Sequence, residues 1–351
     1  MKSRFTPREF RKDLIPVEDE QNLISKQKYY FIFNPGSRNG KSEKSISRIC
    51  GLLNDRKINY EYGITESLQD AYFLSQKANL LKYDVVVAVG GDGTINKVLN
   101  GFYDDNGLRV SKTKLGVVYT GTSPDFCKSY CVPYNNIQQS MDVLLSGNTT
   151  KIQVGKIILA VKMRPELNGQ PVRKDSDFIT CYFSCCANIG IGASVARYAN
   201  SGIRKIAGDY SGTFSALLKA FLKYRSSDLS IALDGKKELL SRLYNLSIGK
   251  TFHIASGIKI NNTLKEGDDK FYILTMRNVR WMNVPYCLKS IYSGKEISSS
   301  DSVYLKYAEK IEVYGNSHTP EVEFDGDPQG FLPCCIEMGK DKLELINDAG
   351  Q

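Results

Sequence analysis

Histidine is nearly missing from this chain: only His253 and His318 occur in 351 residues, and they stand far apart. The nine cysteines include no C-x-x-C pair. They fall as singletons, as the adjacent pairs Cys185-Cys186 and Cys334-Cys335, and as a loose Cys127/Cys131 pair. A structural zinc site needs closely spaced Cys or His pairs and a disulfide framework needs a regular pattern, so neither is expected and the thiols read as packed and reduced. Long apolar runs are lacking too. The longest, such as VVVAV and IILAV, are of strand length, and the opening MKSRFTPREF has basic residues with no apolar stretch behind them. That pattern predicts neither export nor a membrane-spanning helix, and it places the protein in the cytoplasm. No low-complexity tract or fixed-period repeat appears, which confines expected disorder to the ends.

What is present fits a soluble globular protein, with 42% hydrophobic and 24% charged residues. The length exceeds what one core usually organises, so two domains with a cleft between them are expected, an arrangement suited to a two-substrate enzyme. The formal charge of +9 draws the protein toward anionic partners: nucleic acid, phosphorylated substrates or acidic membrane lipid. No RNP-type aromatic motif, zinc finger or basic helical stripe accompanies that charge, so nucleic acid is the least favoured of the three.

Residues 1–28 carry both charge signs, Pro7 and Pro16, and read as a surface arm. From residue 29 the pattern becomes β-α-β: YYFIFN as a buried strand, a helix over 42–56 with Ile46, Ile49, Leu52 and Leu53 on one face, then INYEYGI as a strand. A helix over 67–80, the strand DVVVAV, a helix beginning at TINKVLNGF and the strand KLGVVY follow, which implies a largely parallel sheet wrapped by helices. This α/β nucleotide-binding domain is placed at 29–150. Beyond it, stretches such as VGKIILAVKM, FITCYFSCCANIG, LYNLSIGK, KFYILTMR and EVEFDG are strand-like with few helices, predicting an antiparallel β-sandwich over 151–340. The tail, 341–351, is a candidate to return to the first domain. Two helical interruptions are expected, over 212–225 and 281–292. The first, with Phe214, Leu217, Leu218 and Phe221 on one face, reads as core-facing, with docking of its lysines on an anionic membrane as the alternative.

The sharpest local signal is GGDGT, comprising Gly90, Gly91, Asp92, Gly93 and Thr94, between a strand and a helix. A helix N-terminus offers unpaired N–H groups and a positive dipole end, and glycines let phosphate oxygens approach the backbone. Asp92 in such a loop would be repelled by phosphate unless it holds Mg2+ or another cation. A second loop, NPGSRNGKS, runs from Asn34 to Ser42 through Ser37. It is not a Walker loop, because Gly36 and Gly40 enclose three residues rather than four, but Arg38 and Lys41 can reach a nucleotide phosphate. A third, TGTSPDF, follows the strand KLGVVY and contains Thr122 and Asp125. Three such loops converge where open α/β sheets bind ligands. Near the other end, EVEFDGDPQG sets Asp325 and Asp327 either side of a glycine. That turn could supply the carboxylate that takes a proton from an attacking hydroxyl, or be an ordinary Asp-Gly hairpin. Calcium is not expected there, since the position that needs a bidentate Glu in an EF-hand is Ile336.

Taken in order, NPGSRNGKS, VVAVGGDGTINKVLNG, GTSPDF, FSCCANIGIGASV and FDGDPQG resemble the diacylglycerol kinase catalytic family and its bacterial lipid kinase branch, over residues 29 to about 340. The superfamily is shared with sphingosine, ceramide and NAD kinases. The resemblance implies an NAD kinase/diacylglycerol kinase-like α/β domain, a C-terminal β-sandwich, and ATP in the cleft. It implies ATP contacts from Asn34, Ser37, Gly91, Asp92, Gly93, Thr94 and Thr122, a Mg2+-phosphate network on Asp92 and Asp125, and Asp327 as general base with Asp325 as its partner. The implied function is ATP- and Mg2+-dependent phosphorylation of a lipid hydroxyl, on diacylglycerol, a sphingoid base or ceramide, at the surface of an anionic membrane. A homodimer is left open. Departures stand beside this. Ser123 and Pro124 replace Gly and Asn in a GTGNDFAR loop, Gln153 replaces an Asp in a strand resembling IDLGK, Asp327 replaces a Glu, and Glu266-Gly267 stands in a metal loop without its proline. They keep two further readings open: an NAD kinase, and a non-catalytic nucleotide or lipid sensor.

Overall fold

The computed structural model describes residues 27–37, 42–161, 177–192, 224–254, 258–260, 262–265, 267–279, 300, 302–315, 320–325 and 327–349. The expected arm 1–28 falls almost wholly outside them, as do the expected helices over 281–292 and, but for its last two residues, 212–225.

The first half alternates β1 (Tyr29–Phe33), α1 (Ser42–Asp55), β2 (Tyr60–Ile64), α2 (Leu68–Leu80), β3 (Val85–Gly90), α3 (Asp92–Asn100), β4 (Lys114–Tyr119), α4 (Asp125–Ser129), α5 (Ile137–Ser146) and β5 (Thr149–Ile152). Every residue of β1 and β3 is buried, as expected of central parallel strands covered by helices on both faces. Helix α1 seals one face with Ile46, Ile49, Cys50 and Leu53, while Leu52 lies at the rim and is half-buried.

The second half consists of strands: β6 (Gly155–Ala160), β7 (Phe178–Phe183), β8 (Cys186–Gly190), β9 (Ser227–Leu233), β10 (Lys236–Gly249), β11 (His253–Ile254), β12 (Ile258–Lys259), β13 (Phe271–Arg277), β14 (Val303–Ala308), β15 (Ile311–Tyr314), β16 (Val322–Phe324) and β17 (Asp327–Met338). All pairings among them are antiparallel. The sheet runs β10-β8-β16-β17-β15-β9, and β9 pairs again with β10, so the expected sandwich closes on itself as a barrel. Closure removes edges that would otherwise present unpaired backbone groups. The interior holds Phe183, Ile189, Ile248, Phe271, Phe324 and Ile336 among others.

The chain returns to the first sheet at its end. Strand β18 (Leu343–Ile346) pairs parallel with β4 and antiparallel with β5, giving the order β2-β1-β3-β4-β18-β5. One apolar cluster runs from Val86, Leu99 and Phe126 of the first unit to Tyr182, Cys186 and Tyr272 of the second, so the two halves share a core beneath the site. No helix among the described residues is long and apolar enough to cross a membrane.

Candidate active site

Strands β1, β3 and β4 end side by side, and the loops leaving them are tied to one another. Asn34 prolongs the β1–β3 ladder, its N–H donating to Val89 O at 3.0 Å, and its Nδ2 donates to Thr94 Oγ at 2.8 Å. Ser37 caps a tight turn on Asn34, and Ser42 Oγ lies 2.8 Å from Ser37 O and 3.4 Å from Thr120 Oγ. The GGDGT and TGTSPDF loops meet glycine to glycine. A side chain on Gly121 would place its Cβ 2.5 Å from Gly91 Cα, and one on Gly90 would fall 2.4 Å from Thr94 Oγ. Gly121→Ala is therefore expected to cost about 1–3 kcal/mol of stability by forcing the loops apart. The nucleotide binding that the sequence leads one to expect of these loops should weaken roughly tenfold with it, equivalent to about 1.4 kcal/mol. Thermal unfolding and a nucleotide titration check the pair.

Of the residues singled out in the sequence, Asn34, Ser37, Gly90, Gly91, Asp92, Gly93, Thr94, Thr122 and Asp125 lie in or beside this triangle. Thr94 is buried, its hydroxyl accepting from Asn34. Arg38 and Lys41 lie outside the described residues.

At the mouth of the loops two carboxylates come close enough to feel each other's charge. Asp92 opens α3, and its Oδ2 accepts from the Asp125 N–H at 3.2 Å, while Oδ1 is sealed from solvent with no hydrogen-bond partner. Burial, then the charges of Asp125 and Asp325, push the Asp92 carboxyl well above the usual carboxylate range. The same convergence reaches neighbouring groups: burial, then Asp325, Asp92 and Asp125, push the Cys185 thiol far up, so it stays protonated. A buried, unpartnered carboxylate oxygen beside a second carboxylate is a place where a cation resolves an unfavourable charge.

Asp325 is placed quite differently. It holds the turn between β16 and β17 with φ of 49°, a left-handed conformation that short polar side chains tolerate. Its Oδ2 accepts from Asn96 Nδ2 at 2.9 Å, Ser184 N at 2.8 Å and Ser184 Oγ at 2.9 Å, and its Oδ1 from Cys185 N at 2.9 Å and Cys186 N at 3.4 Å. This carboxylate is saturated and ties the turn to the first unit. Asp327 begins β17, in register with Phe324, and its side chain lies outside the described residues.

Sequence reasoning missed several groups here. Asn96 and Asn100, four apart on α3, both reach the second unit. Asn96 Nδ2 donates to Tyr182 O at 2.9 Å, while Asn100 donates to Tyr182 O and accepts from Tyr182 N, each at 2.8 Å. Two amides at helical spacing on a helix whose Ile95, Val98 and Leu99 are buried are the signal that could have found them.

Comparison with known proteins bears on this geometry. Residues 28–157 match the family described as diacylglycerol kinase catalytic domain, and 186–347 match the YegS C-terminal NAD kinase beta sandwich-like domain. A diacylglycerol kinase of Staphylococcus aureus (strain MRSA252) is 34% identical over 308 residues, covering 86% of both chains. This chain belongs to the diacylglycerol kinase family. Another relative in that family, from Staphylococcus aureus (strain Newman), is 33% identical over the same 308 residues. Among solved structures, a diacylglycerol kinase from Bacillus anthracis str. Sterne superposes with a TM-score of 0.62 over 92% of this chain and 97% of that one, at 18% identity, which attests the fold. A putative one from the same source gives 0.64 at 20% identity, covering the same shares.

Membership in a kinase family implies ATP as phosphoryl donor and, typically, a divalent cation. Where the sequence resemblance leads one to expect an aspartate, this diacylglycerol kinase relative carries Gln153 in a network of its own. Gln153 Nε2 donates to Asp269 Oδ1 at 2.7 Å, and Lys250 Nζ donates both to Gln153 Oε1 and to Asp268 O. Gln153 therefore joins a cationic knot with Lys250. Glu266 lies outside the described residues, and no group of three or more His, Cys, Asp or Glu able to hold a metal occurs among those described.

Proposed function

We propose that this chain transfers the γ-phosphoryl group of ATP to the hydroxyl of a membrane lipid, with diacylglycerol as the first candidate. The observation that carries the reading is the Asp92–Asp125 pair, gathered under three mutually tied loops at the carboxyl ends of parallel strands, with Asp125 buried and Asp92 Oδ1 sealed from solvent. Mg2+ is commonly held by one or two carboxylates, with waters and substrate phosphates filling its remaining positions. A two-carboxylate donor set with one unpartnered oxygen fits a cation that arrives with the nucleotide. Bound there, Mg2+ would neutralise charge on the β- and γ-phosphates. The backbone of the GGDGT turn and the N-terminus of α3 would receive the phosphates, with Asn34 holding the turn through Thr94.

Phosphoryl transfer asks little else of the protein beyond alignment and a group to take the hydroxyl's proton. Asp327 is the residue proposed for that step, and Asp325, fully engaged in hydrogen bonds, holds its turn. The lipid acceptor is supported by relatives named diacylglycerol kinase, and the net charge of +9 favours transient contact with an anionic bilayer. The test is transfer of label from γ-labelled ATP to diacylglycerol, ceramide or a sphingoid base in vesicles with and without anionic lipid. One lipid class should be labelled, faster on anionic vesicles, and Asp327→Asn should lower the rate at least about 100-fold. Label in NAD and in no lipid would overturn the proposal.

A further inference from the structure

We infer that Asn96 and Lys97 are positioning residues that bracket the acceptor-side turn and set its distance from the phosphate loop. The inference rests on the kinase reading above. Helix α3 begins at Asp92, inside the phosphate loop, so Asn96 stands about 6 Å further along the same rigid rod. Asn96 is buried and donates to Asp325 Oδ2 at 2.9 Å; the next residue, Lys97, is half-buried and donates to Gln329 Oε1 at 2.9 Å. Asp325 and Gln329 lie two residues before and two residues after Asp327. Consecutive side chains of the phosphate-loop helix therefore grip both flanks of the turn that carries the proposed base. A shift of the loop on nucleotide binding is transmitted to the acceptor side through one helical turn.

Asn100 supplies an internal contrast. It binds the second unit as tightly, through both polar groups of the Tyr182 backbone, and reaches the turn only through Asn96, whose Oδ1 accepts from its Nδ2 at 3.2 Å. A residue that merely joins the halves should behave like Asn100. One that positions the turn should not.

The experiment compares steady-state kinetics of Asn96→Ala, Lys97→Met and Asn100→Ala with hydrogen exchange at residues 184–186. Asn96→Ala should lower kcat about 100-fold, the scale of an ångström-level misplacement. Its KM for ATP should stay within about threefold, the mark of a loss confined to the transition state. Lys97→Met, on the more open side of the helix, should keep the fold and lower kcat about tenfold. Asn100→Ala, which leaves the Asn96–Asp325 bond in place, should lower thermal stability and lower kcat per folded molecule less than Asn96→Ala does.

Amides of Ser184 and Cys185, which donate to Asp325, should exchange faster in Asn96→Ala, and that readout needs no turnover. An unchanged kcat in Lys97→Met, or unchanged exchange at 184–186 in Asn96→Ala, would overturn the bracket. An inactive wild type would count against the kinase reading alone, and the exchange result would then decide the bracket.

Discussion

Asp92→Asn should abolish most activity and at the same time make the nucleotide-free protein more stable. In the native fold the Asp92 carboxyl is pushed well above its ordinary value of 3.8 by burial and by Asp125 and Asp325, and its Oδ1 has no partner. A carboxyl whose folded pKa exceeds its unfolded one binds more protons in the native state, so stability falls as pH rises through that interval. At neutral pH Asp92 therefore opposes folding, and a neutral amide of the same shape removes the penalty. A gain of about 1–2 kcal/mol is expected, on the scale seen when functional strain is relieved. The gain should shrink as the pH is lowered from 7 toward 4, where the wild-type carboxyl takes up its proton. Activity should drop by roughly 100- to 1000-fold, the range for loss of one preorganised electrostatic group. Denaturant unfolding across pH, beside an ATP-turnover assay, measures both. A variant that is both inactive and less stable would contradict this assignment.

The same chemical change at Asp325 should have the opposite effect on stability. Its two oxygens accept from Asn96, Ser184, Cys185 and Cys186, with at least two donors on each oxygen. In Asp325→Asn one oxygen becomes an NH2 group that points at those donors whichever way the amide is turned. Asparagine tolerates the left-handed backbone at this position, so the substitution isolates the hydrogen bonding from backbone strain. A loss of about 3–5 kcal/mol is expected, as for a buried charged group parted from its partners. Asp325→Ala strips all the donors at once and should lose at least as much. Urea unfolding should show the midpoint falling steeply for both. Near-wild-type stability in Asp325→Asn would show that the cage is not what holds the turn.

Why two aspartates of one cleft differ so much was not legible in the sequence. GGDGT and FDGD each announce a turn, because glycine placement and strand-like flanks are local signals. The donors that saturate Asp325 come from residues about 140 and 229 positions away, which no local pattern links to it. The parallel first sheet was readable because β1 and β3 are apolar throughout, and the second unit because its strands recur with few helices between them. Barrel closure was not readable, since it depends on β9 meeting both β10 and β15. Gln153 looked in the sequence like a lost carboxylate. In the fold it is paired with Lys250, a residue 97 positions away, and the corner is held by an ammonium group.

The most direct test of a cation-dependent nucleotide site on Asp92 and Asp125 is titration calorimetry of ATP into the wild-type protein, with Mg2+ and with chelator. Affinity should be at least about tenfold higher with Mg2+, a difference of roughly 1.4 kcal/mol, and that difference should vanish in Asp92→Asn. Equal binding with and without Mg2+, or a Mg2+ effect that survives in Asp92→Asn, would contradict it.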